Sequence, residues 1–112
     1  MDCLFCKIIK KEIPADIVFE DDSVIVFKDI NPKAKIHHLI VPKKHIANFN
    51  ELSAMDAQDL IKIMYTAKRI AGEEGIDKSG YRLIFNINDD GGQEVQHLHL
   101  HLIGGQKLGK MA

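Results

Sequence analysis

Half of the chain's six histidines fall within five positions: His97, His99 and His101, alternating with Leu98, Leu100 and Leu102 in the segment QHLHLHLIGG, residues 96–105. Neutral imidazole is a competent nucleophile toward phosphorus, and imidazolium donates to phosphate oxygens. On a β-strand, side chains alternate between faces, so the spacing predicts one row of three imidazoles and an opposite row of leucines turned into a core. Such a row does not suit a single metal ion. At about 3.3 Å per residue the outer two histidines start roughly 13 Å apart, whereas zinc–nitrogen bonds are only about 2.0–2.1 Å. An extended ligand fits better, and a phosphate chain or phosphodiester is one. Glycine pairs bracket the three histidines, Gly91-Gly92 before them and Gly104-Gly105 after them. A second chemical pattern is Cys3-Leu4-Phe5-Cys6, whose spacing suits two thiolates on one tetrahedral ion. Its remaining two ligands must come from elsewhere in the chain.

The elements that must position these groups are legible in outline. The chain has 112 residues, 46% hydrophobic and 28% charged, with a net charge of -1. That is enough for one domain, 1–112, with its own core. A bulk basic footprint for duplex nucleic acid is missing. Lys33, Lys35, Lys43 and Lys44 read as solvated loop lysines. No apolar run approaches the ~20 residues of a membrane span, and the start, MDCLFCKIIKKEIP, does not read as a signal peptide. Two cysteines three apart in such a chain point to free thiols or a metal site in a reducing cytoplasm.

Along the chain, FCKIIKKEI predicts a short N-terminal helix ended before Pro14. DIVFED and VIVFKDI read as a hairpin turned at Asp-Asp-Ser. HHLIVP is a third strand after the loop NPKAK. Ser53 is an N-cap for one long helix, with Met55, Leu60, Ile63, Met64, Ala67, Ile70 and Ala71 recurring at helical spacing and Gly72 and Gly75 offering stops. YRLIFNIN and VQHLHLHLIG, with the strand placed over 95–103, complete five strands. The expected class is α+β, with an antiparallel sheet. Ile61 and Tyr65 widen the helix's apolar face beyond what one small sheet covers, which predicts a homodimer.

The segment His97-Leu98-His99-Leu100-His101-Leu102-Ile103 resembles the histidine-triad (HIT) pattern. The stretches CKIIKKEIPADIVFEDD, FKDINPKAKIHHLIVPKKHI and YRLIFNINDDGGQEVQHLHLHLIGG extend that resemblance to the Hint-like branch of nucleoside phosphoramidases, across Cys3 to Gly105. It implies the HIT fold, a five-stranded antiparallel sheet with one long helix and a short N-terminal helix. It also implies a two-fold dimer with a continuous ten-stranded sheet. The implied activity is that of a purine nucleoside phosphoramidase, cleaving AMP or GMP from amine or acyl groups through a nucleotidyl-histidine intermediate. No cofactor is required for this. Two other classes compete: a dinucleoside polyphosphate hydrolase, and a non-enzymatic nucleotide-binding or metal-binding module.

By the same resemblance His99 is the nucleophile, His97 orients it through its backbone carbonyl, and His101 binds phosphate and assists the leaving group. His37 is a fourth histidine near the site, while His38, its strand neighbour, faces elsewhere. Asp29 would accept from the ribose hydroxyls, and Phe27, Ile30, Phe5, Ile8 and Leu4 would enclose the purine. Asn86, Gly92 and Gln93 would contact phosphate. Glu94 stands where animal members carry a serine, and its role is left open. The tail QKLGKMA lacks the C-terminal tryptophan of the animal enzymes. Bacterial-type members complete a structural zinc site with the residues that correspond here to His45 and His97, beside Cys3 and Cys6.

Overall fold

The structure is a computed structural model and describes residues 3–111. Five strands form one antiparallel sheet: β1 (Ile17–Glu20), β2 (Val24–Lys28), β3 (Ile36–Pro42), β4 (Tyr81–Ile84) and β5 (Leu100–Gly104), in the order β1-β2-β3-β5-β4. Helix α1 (Leu4–Ile9) lies on one face and the long helix α2 (Ala57–Glu73) on the other. The α+β class, the hairpin and the presence of one short and one long helix are as the patterning predicts.

Strand alternation divides the core in two. Val24, Val26, Ile40, Leu98, Leu100 and Leu102 meet Ile63, Ala67, Ile70 and Ala71 of α2. Ile25, Phe27, Leu39 and Val41 point the other way, onto Cys3, Phe5 and Ile8 around α1. Strands β2 and β3 are covered on both faces, which is why they read as unbroken apolar runs. His37 belongs to the α1 side of β3. His38 belongs to the α2 side, where its Nε2 lies 2.7 Å from Glu74 Oε1.

Several boundaries differ from expectation: α1 stops at Ile9 instead of running on to Ile13, and β2 ends at Lys28, before Asp29-Ile30. The last strand starts at Leu100 rather than at 95. Beyond Ile40 and Leu100 the β3–β5 ladder stops, because Pro42 has no N–H and its carbonyl accepts from the His97 ring instead. The alternation outlasts the ladder: Leu98 still enters the α2 core, held by its N–H to Ile46 O at 2.6 Å. Strand β4 ends at Ile84, four residues before Asn88, which has a φ of 58° and opens the following turn. Ser53 caps a 3-10 turn (Ala54–Asp56) whose Asp56 carboxylate accepts from Ser53 N and Oγ, so the α-helix itself begins at Ala57. Gly72 lies inside α2. Gly75 terminates it, at φ 75°, with Gly75 N donating to Gly72 O and Ile76 N to Ala71 O in a Schellman motif. The stripe is also narrower than its spacing suggests: Met55 is 86% exposed and Met64 41%.

Candidate active site

The three alternating histidines occupy the α1 face of β5 and the stretch leading into it. His99 Nδ1 lies 2.7 Å from the carbonyl oxygen of His97. A carbonyl can only accept, so Nδ1 carries the hydrogen and Nε2 keeps a free lone pair. His97 is held the same way, its Nε2–H donating to Pro42 O at 2.8 Å. His101 Nδ1 lies 2.9 Å from His37 Nε2, and Asn86 Nδ2 stands 3.5 Å from His101 Nε2. Asp29 Oδ2 is 3.3 Å from His37 Nε2, while its Oδ1 accepts from Asn31 N at 2.8 Å. Asp29 therefore closes its own loop and faces the histidines at once. His97, His99, His101, His37, Asn86 and Asp29 are all brought together; His38 is not.

Burial governs the electrostatics. It lowers His97 and His101 from 6.5 to about 4 and lowers His99 and His37 as well. The charges of Asp29 and Glu94 oppose this at His99 without overcoming it. All four rings are thus neutral near pH 7, so His99 presents its lone pair without first losing a proton. Phe5 packs edge-on against His99, with ring centroids 5.1 Å apart, and against Phe27 at 5.3 Å.

Cys3, Cys6, His45 and His97 form a compact donor set. His97 Nδ1 lies 3.3 Å from Cys3 Sγ, 3.6 Å from Cys6 Sγ and 3.2 Å from His45 Nδ1. Because Nε2 of His97 carries that ring's hydrogen, Nδ1 turns a lone pair toward two sulfurs and another imidazole. This is donor chemistry that fits a tetrahedral metal ion. Asp29, His37 and His101 are similarly close together but fail the same test. Lys33 N–H donates to His37 Nδ1 at 3.0 Å, so the neutral ring has its hydrogen on Nε2, the nitrogen that a metal would need.

The remaining expected residues divide. Phe5 and Ile8 of α1 are buried together with Phe27, whereas Leu4 is 47% exposed and Ile30 89% exposed, so those two do not line a closed slot. Gly92 and Gln93 do not offer the donors expected of them. Gly92 N donates to Asp89 O, and Gln93 N to Asn88 O. The Gln93 amide spans the loop, giving Nε2–H bonds to Ala47 O and Val95 O and accepting from Asn88 N. Both residues brace the turn that carries Asn86. Glu94 is exposed beside it.

A family model for the HIT domain matches residues 10–108. The chain belongs to the HIT family. It is 50% identical over 110 residues to the purine nucleoside phosphoramidase of Escherichia coli strain K12, covering 98% of this chain and 92% of that protein. A HIT family hydrolase from Legionella pneumophila Philadelphia 1 superposes with a TM-score of 0.95 at 52% identity, over 96% of both chains. A histidine triad protein from Clostridium difficile gives 0.95 at 45% identity, over 100% of this chain and 97% of that one.

Within this HIT site, sequence reasoning missed two backbone contributors, the amide of Lys33 and the carbonyl of Pro42, and the side-chain brace that ties Asn48 and Asn88 to Gln93. The one available cue was composition. Asn88-Asp89-Asp90-Gly91-Gly92 is dense in residues that close turns.

Proposed function

We propose that this chain is a hydrolase of purine nucleoside phosphoramidates and related nucleotidyl conjugates, acting through a nucleotide bound covalently to His99. One observation carries the reading: the His97 carbonyl holds the hydrogen of His99 on Nδ1, leaving the Nε2 lone pair for phosphorus. The similarity to a purine nucleoside phosphoramidase across nearly the whole chain agrees with it. In the first step Nε2 bonds to the α-phosphorus as the bond to the leaving nitrogen breaks. The leaving amine keeps that electron pair and takes up a proton. In the second step water bonds to phosphorus, His99 recovers its lone pair, and the water's proton replaces the one that left. His101 and Asn86 hold phosphate or leaving group, Asp29 accepts from the ribose hydroxyls, and Phe5, Phe27 and Ile8 back the purine, with Leu4 and Ile30 at its rim.

The test is direct. Incubation with adenosine phosphoramidate followed by an alkaline quench should leave an adenylyl group on a peptide containing His99. His99→Gly should lose more than about a thousandfold in kcat, the scale on which removal of a covalent nucleophile is felt. Wild-type turnover by that variant refutes the assignment.

The Cys3–Cys6–His45–His97 set is proposed as a structural zinc site. Bound there, zinc supplies cross-linking between α1 and the segment before β5, and no electrophilic chemistry at phosphorus. The thiols fit a reducing, cytoplasmic setting. A homodimer is proposed through α2 and the edge strand β4, which would join two five-stranded sheets into ten. Its support is the 45%, 41% and 67% exposure of Ile61, Met64 and Tyr65 on one helix. Light scattering that gives the 12.6 kDa of one chain at micromolar concentration refutes it.

A further inference from the structure

His99 and His101 sit two residues apart on one face, yet their inner nitrogens meet opposite partners. For His99 the partner is a carbonyl, which fixes the hydrogen on Nδ1. For His101 it is His37 Nε2, 2.9 Å from His101 Nδ1. Which of those two nitrogens carries the hydrogen is settled one contact further back. Lys33 N–H donates to His37 Nδ1 at 3.0 Å, which occupies that lone pair and puts the neutral ring's hydrogen on Nε2. Asp29 Oδ2, 3.3 Å from the same Nε2, can only accept and selects the same form. Two hydrogens do not fit in a 2.9 Å gap, so His101 Nδ1 must present its lone pair. Neutral His101 then keeps its hydrogen on Nε2. Asn86 Nδ2 stands 3.5 Å from that nitrogen and is itself a donor, so the arrangement requires the Asn86 amide to turn its Oδ1 toward His101, an exchange of oxygen and nitrogen that leaves the side chain's shape unchanged.

We propose that His37 is a positioning residue that sets the tautomer of His101. Its ring is fixed by the Lys33 amide and the Asp29 carboxylate, and its Nε2–H in turn makes His101 Nε2 a hydrogen-bond donor beside the electron-pair donor Nε2 of His99. Given phosphoryl transfer at His99, the outer edge of the site then offers one lone pair to phosphorus and one hydrogen to a phosphate oxygen or the leaving nitrogen. The opposite senses arise because one ring reads a backbone carbonyl and the other reads, through His37, a backbone N–H. Burial keeps both rings of the relay neutral, lowering His37 and His101 alike.

The first measurement uses wild-type protein without nucleotide. Long-range proton–nitrogen NMR on histidine-labelled protein should place the hydrogen on Nε2 in His37 and His101 and on Nδ1 in His99. A hydrogen on Nδ1 of His101 overturns the proposal. This readout needs no turnover, so it stands apart from the adduct experiment that tests the phosphoramidase reading. The second measurement compares His37→Gln, whose amide can still donate to His101, with His37→Leu, which cannot. The glutamine variant should hold His101 in the same tautomer and keep kcat within about threefold. The leucine variant should show a mixture of tautomers and lose about tenfold or more in kcat, with KM changed less than about twofold. Equal losses in the two variants, or an unchanged His101 tautomer in His37→Leu, overturn the assignment.

Discussion

Truncating Phe5 to alanine tests whether α1 holds the site together. Phe5 is 4% exposed, packs edge-on against Phe27 and His99, and lies 5.9 Å between centroids from His97. Phe→Ala in a packed core costs about 3–5 kcal/mol. Helix α1 has only six residues and can settle into part of the void, which favours the lower end, about 3 kcal/mol. For a chain of this length each kcal/mol moves Tm by roughly 4 °C, so the expected loss is about 12 °C by circular dichroism. Phe5→Leu keeps most of the apolar bulk and should cost about 1 kcal/mol, or about 4 °C. Because the same ring is the lateral support of His99, phosphoramidate turnover should fall with stability in the order wild type, Leu, Ala, and KM should rise with loss of the purine's backing. A Tm within about 3 °C of wild type for Phe5→Ala, with kcat/KM unchanged, would show that α1 neither anchors the fold nor supports the nucleophile.

Gly91→Ala should destabilise the protein by about 2 kcal/mol or more and loosen Asn86, because its Cβ would fall 2.8 Å from the backbone nitrogen of Ile87 and closer still to Ile87 O; urea denaturation checks it. In the pH profile of kcat/KM the acid limb should lie below 6.5, since burial lowers His99 and activity is lost only as its lone pair is protonated; a limb at pH 7 or above contradicts the neutral ring. Stability should follow in the same direction. His101 titrates near 4 when folded and near 6.5 when unfolded, so the unfolded chain binds more protons in that window; its contribution is complete above 6.5 and fades as pH falls toward 4. Zinc retention should weaken with falling pH, because burial and the neighbouring Cys3 push the Cys6 thiol up to about 11 and binding must expel its proton; elemental analysis across a dialysis series measures this, and metal content below about a tenth of an equivalent in reduced protein sinks the site.

Much of this was readable from periodicity alone. The leucine–histidine alternation placed three rings on one side and Leu98, Leu100 and Leu102 under α2, and that arrangement holds even where the ladder has ended. The helical spacing located α2 but overstated its buried stripe, because spacing does not say how wide a sheet lies beneath; Met55 and Met64 fall outside it. Ladder ends were illegible for a different reason. They depend on which backbone groups are diverted to side chains, as Pro42 O is to His97. The same blindness covers the tautomers. The family resemblance put His37 near the triad, but the direction of the hydrogen between it and His101 is decided by the amide of Lys33, in a loop whose sequence shows only Asn-Pro-Lys-Ala-Lys. Gln93 illustrates the converse: the right residue in the right turn, its amide already spent on Ala47 and Val95.

The alternation through residues 97–102 also bears on folding quality. A slip of one residue in the pairing of β5 with β3 would turn every side chain to the opposite face. The imidazoles would then lie unpaired beneath α2, and the leucines would stand where a nucleotide should sit. Such a chain is not a slightly poorer catalyst. It has neither a core nor a nucleophile, and it leaves solution with its leucines exposed. Misfolding should therefore subtract molecules and leave the survivors unimpaired. Preparations that differ widely in refolding yield should share one specific activity per mole of soluble protein.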